Sequence, residues 1–210
     1  MIHEALGLLR RELVTYLSSH GYTTAEDIVV IENIGLFESA TSGVNLDDKI
    51  VFTLVNMEEE STLKNAPFVK KEFTNPALYE NPPVFLNLYL LITACNKSAD
   101  NNSYTDALEK LSLVIAFFQS KNSFATGSSV SGSIGPFASE DILALTIRHE
   151  MYTLSFEQVN HLWGTLGGKQ MPFVLYKLRL IAITGRKALR EVPLIEEIET
   201  KLTKLPIGYS

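Results

Sequence analysis

Residues 82–96, PPVFLNLYLLITACN, are the stretch that decides the fold. The even positions carry only apolar side chains: Val84, Leu86, Leu88, Leu90, Ile92 and Ala94. The odd positions carry a mixed set: Phe85, Asn87, Tyr89, Leu91 and Thr93. In a β-strand, successive side chains point to opposite faces of the sheet. The stretch therefore predicts a long strand, central in its sheet, with one fully apolar face and one partly apolar face.

A helix is predicted next, over residues 103–120, after the polar sequence SADNNS (98–103). Ser103 and Asp106 have the spacing of a capping-box-like helix start. Helical spacing defines a core stripe of Ala107, Leu108, Leu111, Val114, Ile115 and Phe118. Leu113 and Phe117 widen that stripe until the second half is apolar nearly all round. Such a helix is either deeply buried or partly covered by another subunit.

The remaining pattern predicts further helices and strands without regular alternation. An amphipathic helix covers residues 2–17 and stops at Gly21, and a short helix begins with the Ser155–Gln158 capping box and ends at Gly167 and Gly168. Strands are predicted at 28–34, 50–57, 68–73, 141–153 and 172–184, with a surface loop or hairpin connection at 38–48. Alternation in the last strand predicts an inward face of Val174, Tyr176, Leu178, Leu180 and Ala182. The expected fold is α+β: a single mixed β-sheet flanked by about three helices, with no internal repeat.

One domain is expected over residues 1–185, with a carboxy-terminal extension over 186–210. A chain of 210 residues and 23.4 kDa can bury one core. The Gly/Ser-rich segment within 127–138 is interpreted as a loop of that domain, because patterned segments flank it on both sides. Residues 193–204 fit a strand or a helix equally well.

Charge and cysteine content exclude several functional classes. The net charge of −6 without a basic cluster argues against nucleic-acid binding. The single cysteine, Cys95, cannot form an internal disulfide, which favours a reducing, cytoplasmic location. The amino terminus lacks the apolar run of a signal peptide, and no segment is apolar over a bilayer-spanning length, so no membrane role is expected.

The motifs that could carry catalysis fail on spacing or periodicity. His149-Glu150 begins like the zinc-peptidase pattern HExxH, but position 153 is threonine and the local period is that of a strand. His149 is therefore interpreted as a packed core histidine beside Ile147 and Met151. Arg148 and Glu150 share the opposite strand face and are interpreted as a solvated or subunit-facing charge pair.

Other candidate residues also have structural interpretations. Trp163 shares a helical face with Phe156 and Val159 and is expected to anchor the core rather than to build a ligand pocket with His161. Cys95 is expected to be a small core residue. The acidic run Glu58–Glu60 is expected to be solvated. The stretches GTLGGK (164–169) and SGSIG (131–135) lack phosphate-loop and nucleophile-elbow spacing. No catalytic residue, cofactor site or metal site is predicted.

Two long blocks of sequence resemble a known family. They are PPVFLNLYLLITACNKSADNNSYTDALEKLSLVIAFFQSKNSF (82–124) and LSFEQVNHLWGTLGGKQMPFVLYKLRL (154–180). Both are similar to the amino-terminal domain of the cap, or tail-terminator, proteins of extracellular contractile injection systems of the antifeeding-prophage type. The resemblance covers most of residues 1–185. The chain departs from the family in its Gly/Ser-rich loop and at Phe173, where serine is more common.

The resemblance implies a non-enzymatic structural protein. In that family, six copies form a ring that closes the baseplate-distal end of the tail and contacts the inner tube and the sheath. Two alternatives stay open at this point. One is a monomeric adaptor that recruits tube or effector components through the Gly/Ser loop, and the other is a small hydrolase that uses His149 and Glu150 with Arg148.

Overall fold

The computed structural model describes residues 2–37, 45–60, 69–70, 77–80, 84–96, 102–125, 146–167, 169–183 and 188–192. The chain divides into two compact units, one of residues 1–63 and 84–183, the other of 64–83 and 184–210. The expected boundary at residue 185 stays a prediction. The Gly/Ser loop at 127–138 and the ambiguous segment 193–204 lie outside the described residues.

Four helices and one 3-10 turn are present among the described residues: α1 Ile2–Ser19, α2 Ala25–Ile28, the 3-10 turn Ile34–Leu36, α3 Ser103–Ser120 and α4 Phe156–Thr165. The strands are β1 Val29–Ile31, β2 Ile50–Glu59, β3 Val69–Lys70, β4 Ala77–Glu80, β5 Val84–Ala94, β6 Ser123–Ala125, β7 Thr146–Met151, β8 Phe173–Ile183 and β9 Ala188–Val192. The predicted α+β class is confirmed.

The larger unit contains a six-stranded sheet in the order β1-β2-β5-β8-β7-β6. β1 pairs with β2 in parallel, and every other neighbouring pair is antiparallel. The sheet is therefore mixed, as predicted. β5 lies between two long neighbours, β2 and β8, which confirms the central position that its alternating pattern indicated.

One face of this sheet is covered by α1 and α3. The even-numbered residues Leu88, Leu90 and Ile92 of β5 are fully buried there. They pack with the helix stripes in one cluster, whose helical members include Leu9, Leu13, Leu17, Val114, Phe117 and Phe118. Val174, Tyr176 and Leu178 of β8 also face inward in this cluster, as their alternation predicted. The side chains of Leu180 and Ala182 lie outside the described part.

The opposite face carries a smaller core, which α4 covers. Its buried members are Ile34, Leu46, Val51, Tyr89, Leu91, Cys95, Trp163, Met171 and Leu175. Tyr89, Leu91 and Cys95 are odd-numbered residues, so the mixed face of the central strand is also buried over this part of its length. The two cores share β2, β5 and β8 and bury both sides of each strand.

The connection between the first two strands corrects two predictions. Because β1 and β2 run parallel, the connection between them is not a hairpin, which removes one of the two alternatives for residues 38–48. Residues 38–44 lie outside the described part, so the loop alternative stays a prediction. The predicted strand at 28–34 is also shorter, with only Val29–Ile31 extended. Asn33 ends it because its side-chain oxygen accepts from the Gly35 amide at 3.0 Å and starts the 3-10 turn.

The sequence pattern missed several short strands. β6, a three-residue edge strand, pairs with β7. In the smaller unit, β4 and β9 were missed, whereas β3 lies within the predicted strand 68–73. β4 pairs with β3 and β9 in a separate three-stranded antiparallel sheet, so the expectation of a single sheet was wrong. Strands of three to five residues give too few positions for a period to be recognised.

The start and the stripe of α3 also differ from prediction. The N-cap is Asn102, not Ser103, and neither it nor Asp106 forms a capping box. Leu108, predicted in the core stripe, is 41% exposed, whereas Lys110 is only 4% exposed. The helix is therefore rotated relative to the stripe that the sequence defined, and one apolar side chain is left at the surface.

Candidate interaction surfaces

His149 lies between α3 and the sheet. Its Nε2 is 2.9 Å from the carbonyl oxygen of Phe118. Because a carbonyl only accepts, Nε2 carries the proton in this contact. The ring packs against Phe118, Phe124 and Tyr176, with centroid distances of 5.0, 5.3 and 5.9 Å. The interpretation of His149 as a packed core histidine is confirmed, although the neighbouring Met151 is half exposed.

The residues on either side of His149 point to the other face of β7. Glu150 is exposed, and its Oε1 is 3.4 Å from Nε of Arg179 on β8. Arg148 lies opposite Arg179 in the strand register, so the ion pair forms between strands and not between Arg148 and Glu150. The hydrolase hypothesis required His149, Glu150 and Arg148 to converge. Strand alternation separates them, so that hypothesis is wrong.

Cys95 is fully buried in the smaller core. Burial, with a smaller contribution from the charge of Asp47, raises the pKa of its thiol to about 12. A thiol is nucleophilic only as the thiolate, so Cys95 is unreactive at neutral pH and acts as a small apolar residue. Among the described residues, no group of three His, Cys, Asp or Glu side chains is arranged to hold a metal ion.

The acidic run at the end of β2 was predicted to be solvated. In the structure, two of its carboxylates are hydrogen-bonded to β5. The Tyr89 hydroxyl donates to Glu58 Oε2 at 2.7 Å, and Asn87 Nδ2 donates to Glu60 Oε2 at 3.0 Å. Burial, followed by the hydrogen bond to Glu58, raises the pKa of Tyr89 to about 12. The Lys177 ammonium lies 5.5 Å from the centre of the Tyr89 ring. Sequence reasoning missed this cluster because it depends on strand register.

An ion pair between the buried Lys110 and the exposed Asp48 attaches α3 to the turn before β2. Lys110 Nζ donates to both the Asp48 carboxylate and the Asp48 carbonyl oxygen, at 2.5 and 3.0 Å. Asp48 has a positive φ of 63°, which places its carbonyl and its side chain toward the same lysine. A buried ammonium must be paired. This contact therefore explains why a lysine occupies a core position of α3.

Helix α4 buries its apolar face unevenly. Trp163 is 4% exposed and packs edge to face on Phe173 at 5.5 Å, which confirms the predicted anchor. Phe156, predicted on the same face, is 92% exposed. His161 lies on the solvent side near Glu157. The helix thus covers the smaller core from Val159 onward, and Phe156 at its start presents an aromatic ring to solvent.

Other large apolar side chains are exposed in the 3-10 turn, near the ends of sheet strands and on α3. They are Leu36, Met57, Val84, Tyr104, Leu108, Met151 and Tyr152. Isolated exposed apolar residues are ordinary in monomers. Phe156 is the most exposed of the described large apolar residues, and aromatic residues in such positions are frequent anchors in protein interfaces. The described helices include none that is long and apolar enough to cross a membrane.

Comparison with known proteins identifies a family and similar solved structures. The family model described as Pvc16 N-terminal domain matches residues 6–197. The fold is similar to a chain in the cryo-EM structure of an extracellular contractile injection system, PVC sheath/tube terminator in the extended state. The TM-score is 0.63 at 12% identity, over 98% of this chain and 64% of that chain.

The second neighbour is the anti-feeding prophage cap, described as the AFP tube-terminating cap. Here the TM-score is 0.52 at 15% identity, over 75% of this chain and 50% of that chain. The chain thus spans less than two thirds of the length of either solved relative. No curated protein matches the sequence.

Proposed function

Because the chain belongs to the Pvc16 N-terminal domain family, we propose that it is a structural cap, or terminator, of a contractile injection particle. The family that the two sequence blocks indicated is thereby confirmed. The observation that carries the proposal is the fold match to a sheath/tube terminator over 98% of this chain. In this role the protein closes the baseplate-distal end of the tube and sheath.

A passive role agrees with the chemistry of the described surface. The side chains with catalytic potential are separated: His149 packs under α3, Glu150 pairs with Arg179 on the other face, and the Cys95 thiol is buried. The exposed Phe156, Met57 and Leu108 offer apolar contact area instead. We propose that the protein has no enzymatic activity of its own. No described feature favours a monomeric adaptor.

The finer assembly is part of the proposal. Six copies form a closed ring, which requires a heterologous interface in which two different patches of each copy meet. The ring contacts the inner tube and the sheath. Assembly takes place in the cytoplasm, in keeping with the single buried, unpaired cysteine. Nucleic acid and membrane are not partners.

Electron microscopy of particles with and without this protein tests the function. Particles that lack it are expected to have open ends or uncontrolled tail lengths, because nothing stops subunit addition. Particles that contain it are expected to show a sixfold ring at the baseplate-distal end. Normal closed tails in its absence would contradict the proposal, and a single copy per tail would contradict the ring.

The carboxy-terminal extension is proposed to contact the tube or sheath. Deleting residues 186–210 removes β9 from the smaller sheet but leaves all six strands of the larger sheet in place. We expect a shortened chain that keeps its circular dichroism spectrum and no longer co-sediments with tail particles. A chain ending at Val192, which keeps β9, is the matched control and locates the contact. Unchanged co-sedimentation of the 186–210 deletion would rule out the proposed contact.

A further inference from the structure

The outer edge of β2 is only partly paired. β1 lies beside Ile50–Phe52, and β2 continues to Glu59. The chain leaves the edge at Asn33 and turns into the 3-10 segment. Among the described residues, no strand pairs with this edge beyond Phe52, and Met57 is 53% exposed. A strand edge of this kind presents backbone donors and acceptors to a further strand.

The direction of the backbone groups follows from two hydrogen bonds. The Glu32 amide donates to the Phe52 carbonyl at 3.1 Å, so Leu54, two residues later, also points its N–H and C=O outward. The β2–β5 register shifts between Leu54 and Asn56. Beyond that bulge, the Glu60 amide donates to Phe85 on β5, so the backbone groups of Met57 point outward again. Both sides of the bulge therefore offer pairing groups to a new strand.

A cleft of about 540 Å³ lies along this edge. Leu6 of α1 lines it on one side, Leu162 of α4 and Leu166, just after that helix, line it on the other, and Leu54 and Val55 lie between them. Side chains of an added strand would alternate between the α1 wall and the α4 wall. Because both walls are apolar, consecutive apolar residues fit the cleft.

The charge of the cleft selects a basic occupant. Glu32, half buried, lines the cleft, and no described residue forms an ion pair or a hydrogen bond with its carboxylate. The nearby basic side chains are hydrogen-bonded near the start of β1 and not to Glu32. Arg10 donates to the Val29 carbonyl, and Lys49 donates to the Asp27 carbonyl. A carboxylate in such a position is matched by a lysine or arginine of the occupant.

We propose that this cleft binds an extended segment of another protein, which adds a strand to β2 beyond the end of β1. The segment carries consecutive aliphatic residues flanked by a lysine or arginine that pairs with Glu32. Strand addition supplies main-chain affinity, and the two apolar walls with Glu32 supply specificity. The inference concerns one surface of this chain and does not depend on the cap function.

The probe is a synthetic peptide, acetyl-RVIVTVK-amide, titrated against the full-length protein by fluorescence anisotropy and by NMR. Amide shifts are expected at Leu54–Met57 and at Glu32. Two control peptides separate the contributions of charge and backbone. Acetyl-EVIVTVE-amide reverses the charge, and acetyl-RVIPTVK-amide removes one backbone N–H; each is expected to bind about tenfold more weakly or not at all.

Two protein variants test the cleft itself. Glu32→Gln is expected to weaken binding about threefold and to reduce its salt dependence, whereas Glu109→Gln, on the exposed face of α3, should leave both unchanged. Thr165→Trp fills the cleft from α4 and should abolish binding, whereas Thr165→Ala should not.

Several results would overturn the proposal. They are equal binding of the three peptides, amide shifts away from β2, or equal affinity of the Glu32→Gln and Glu109→Gln variants. If the free protein self-associates and Thr165→Trp abolishes that self-association, a second copy of the chain occupies the cleft. That result also contradicts the proposed occupant. Closed tails can form whether or not the peptide binds, so this test and the test of the cap function fail separately.

Discussion

Replacing Phe118 by alanine is expected to lower the free energy of unfolding by about 3–5 kcal/mol, a large part of the 5–15 kcal/mol typical of a domain. Phe118 is buried at the centre of the larger core, where it stacks on Tyr176 at 4.1 Å and meets Phe117 and Phe124 edge to face. Its loss leaves a cavity between α3 and the sheet. The β7 strand loses support as well, because His149 packs on the same ring.

Phe156→Ala is the matched control for this experiment. The same side chain is removed, but from a site that is 92% exposed. We expect a change within about 0.5 kcal/mol, because the side chain is almost fully exposed and takes no part in the Ser155–Gln158 capping box. Urea denaturation followed by tryptophan fluorescence measures both variants, since Trp163 is the one tryptophan in the sequence. Equal destabilisation by the two substitutions would show that the assignment of core and surface is wrong.

Alkaline pH is expected to unfold the protein through its buried thiol and phenols. Burial raises the pKa of Cys95 from 9.0 to about 12, and it raises the pKa of Tyr176 from 10.0 to about 12. Above pH 9 the unfolded state releases the thiol proton while the folded state keeps it, so stability is full below that pH and falls as pH rises toward 12. For Cys95 alone the loss is roughly 3 kcal/mol by pH 11. Tyr176 acts in the same direction above pH 10.

Denaturation midpoints measured from pH 7 to pH 11 test this linkage. Cys95→Ala is expected to be less stable at pH 7, because it leaves a small cavity, but to lose less stability between pH 9 and pH 11. Tyr176→Phe removes the phenol with little change in shape and should flatten the curve above pH 10. Parallel pH profiles for the parent protein and both variants would contradict the proposed role of these groups.

The long elements could be predicted because their periodicity is local. Eleven residues of alternating pattern identified β5, and the same applies to β8, whose inward residues Val174, Tyr176 and Leu178 are buried as expected. The capping box at Ser155 fixed the start of α4 to the residue. Parity along β7 also predicted that His149 and Glu150 point to opposite faces, and the structure confirmed this.

The hydrogen-bonded cluster at the end of β2 could not be predicted in the same way. Tyr89 meets Glu58, and Asn87 meets Glu60, only because of the strand register. That register contains a shift between Leu54 and Asn56, and a bulge of this kind leaves no trace in residue periodicity. The sequence showed an acidic run and two polar residues on a mixed face, but not that they are partners.

By itself, the sequence therefore determined the α+β class, the long strands and helices, the central position of β5 and the family. Only the tertiary structure decided that β1 runs parallel to β2, that Lys110 is buried against Asp48, and that Phe156 faces solvent while Trp163 does not. The reason is physical. Periodicity records which face of an element is apolar, whereas pairing direction, register and the length over which a face is covered depend on residues far apart in the chain.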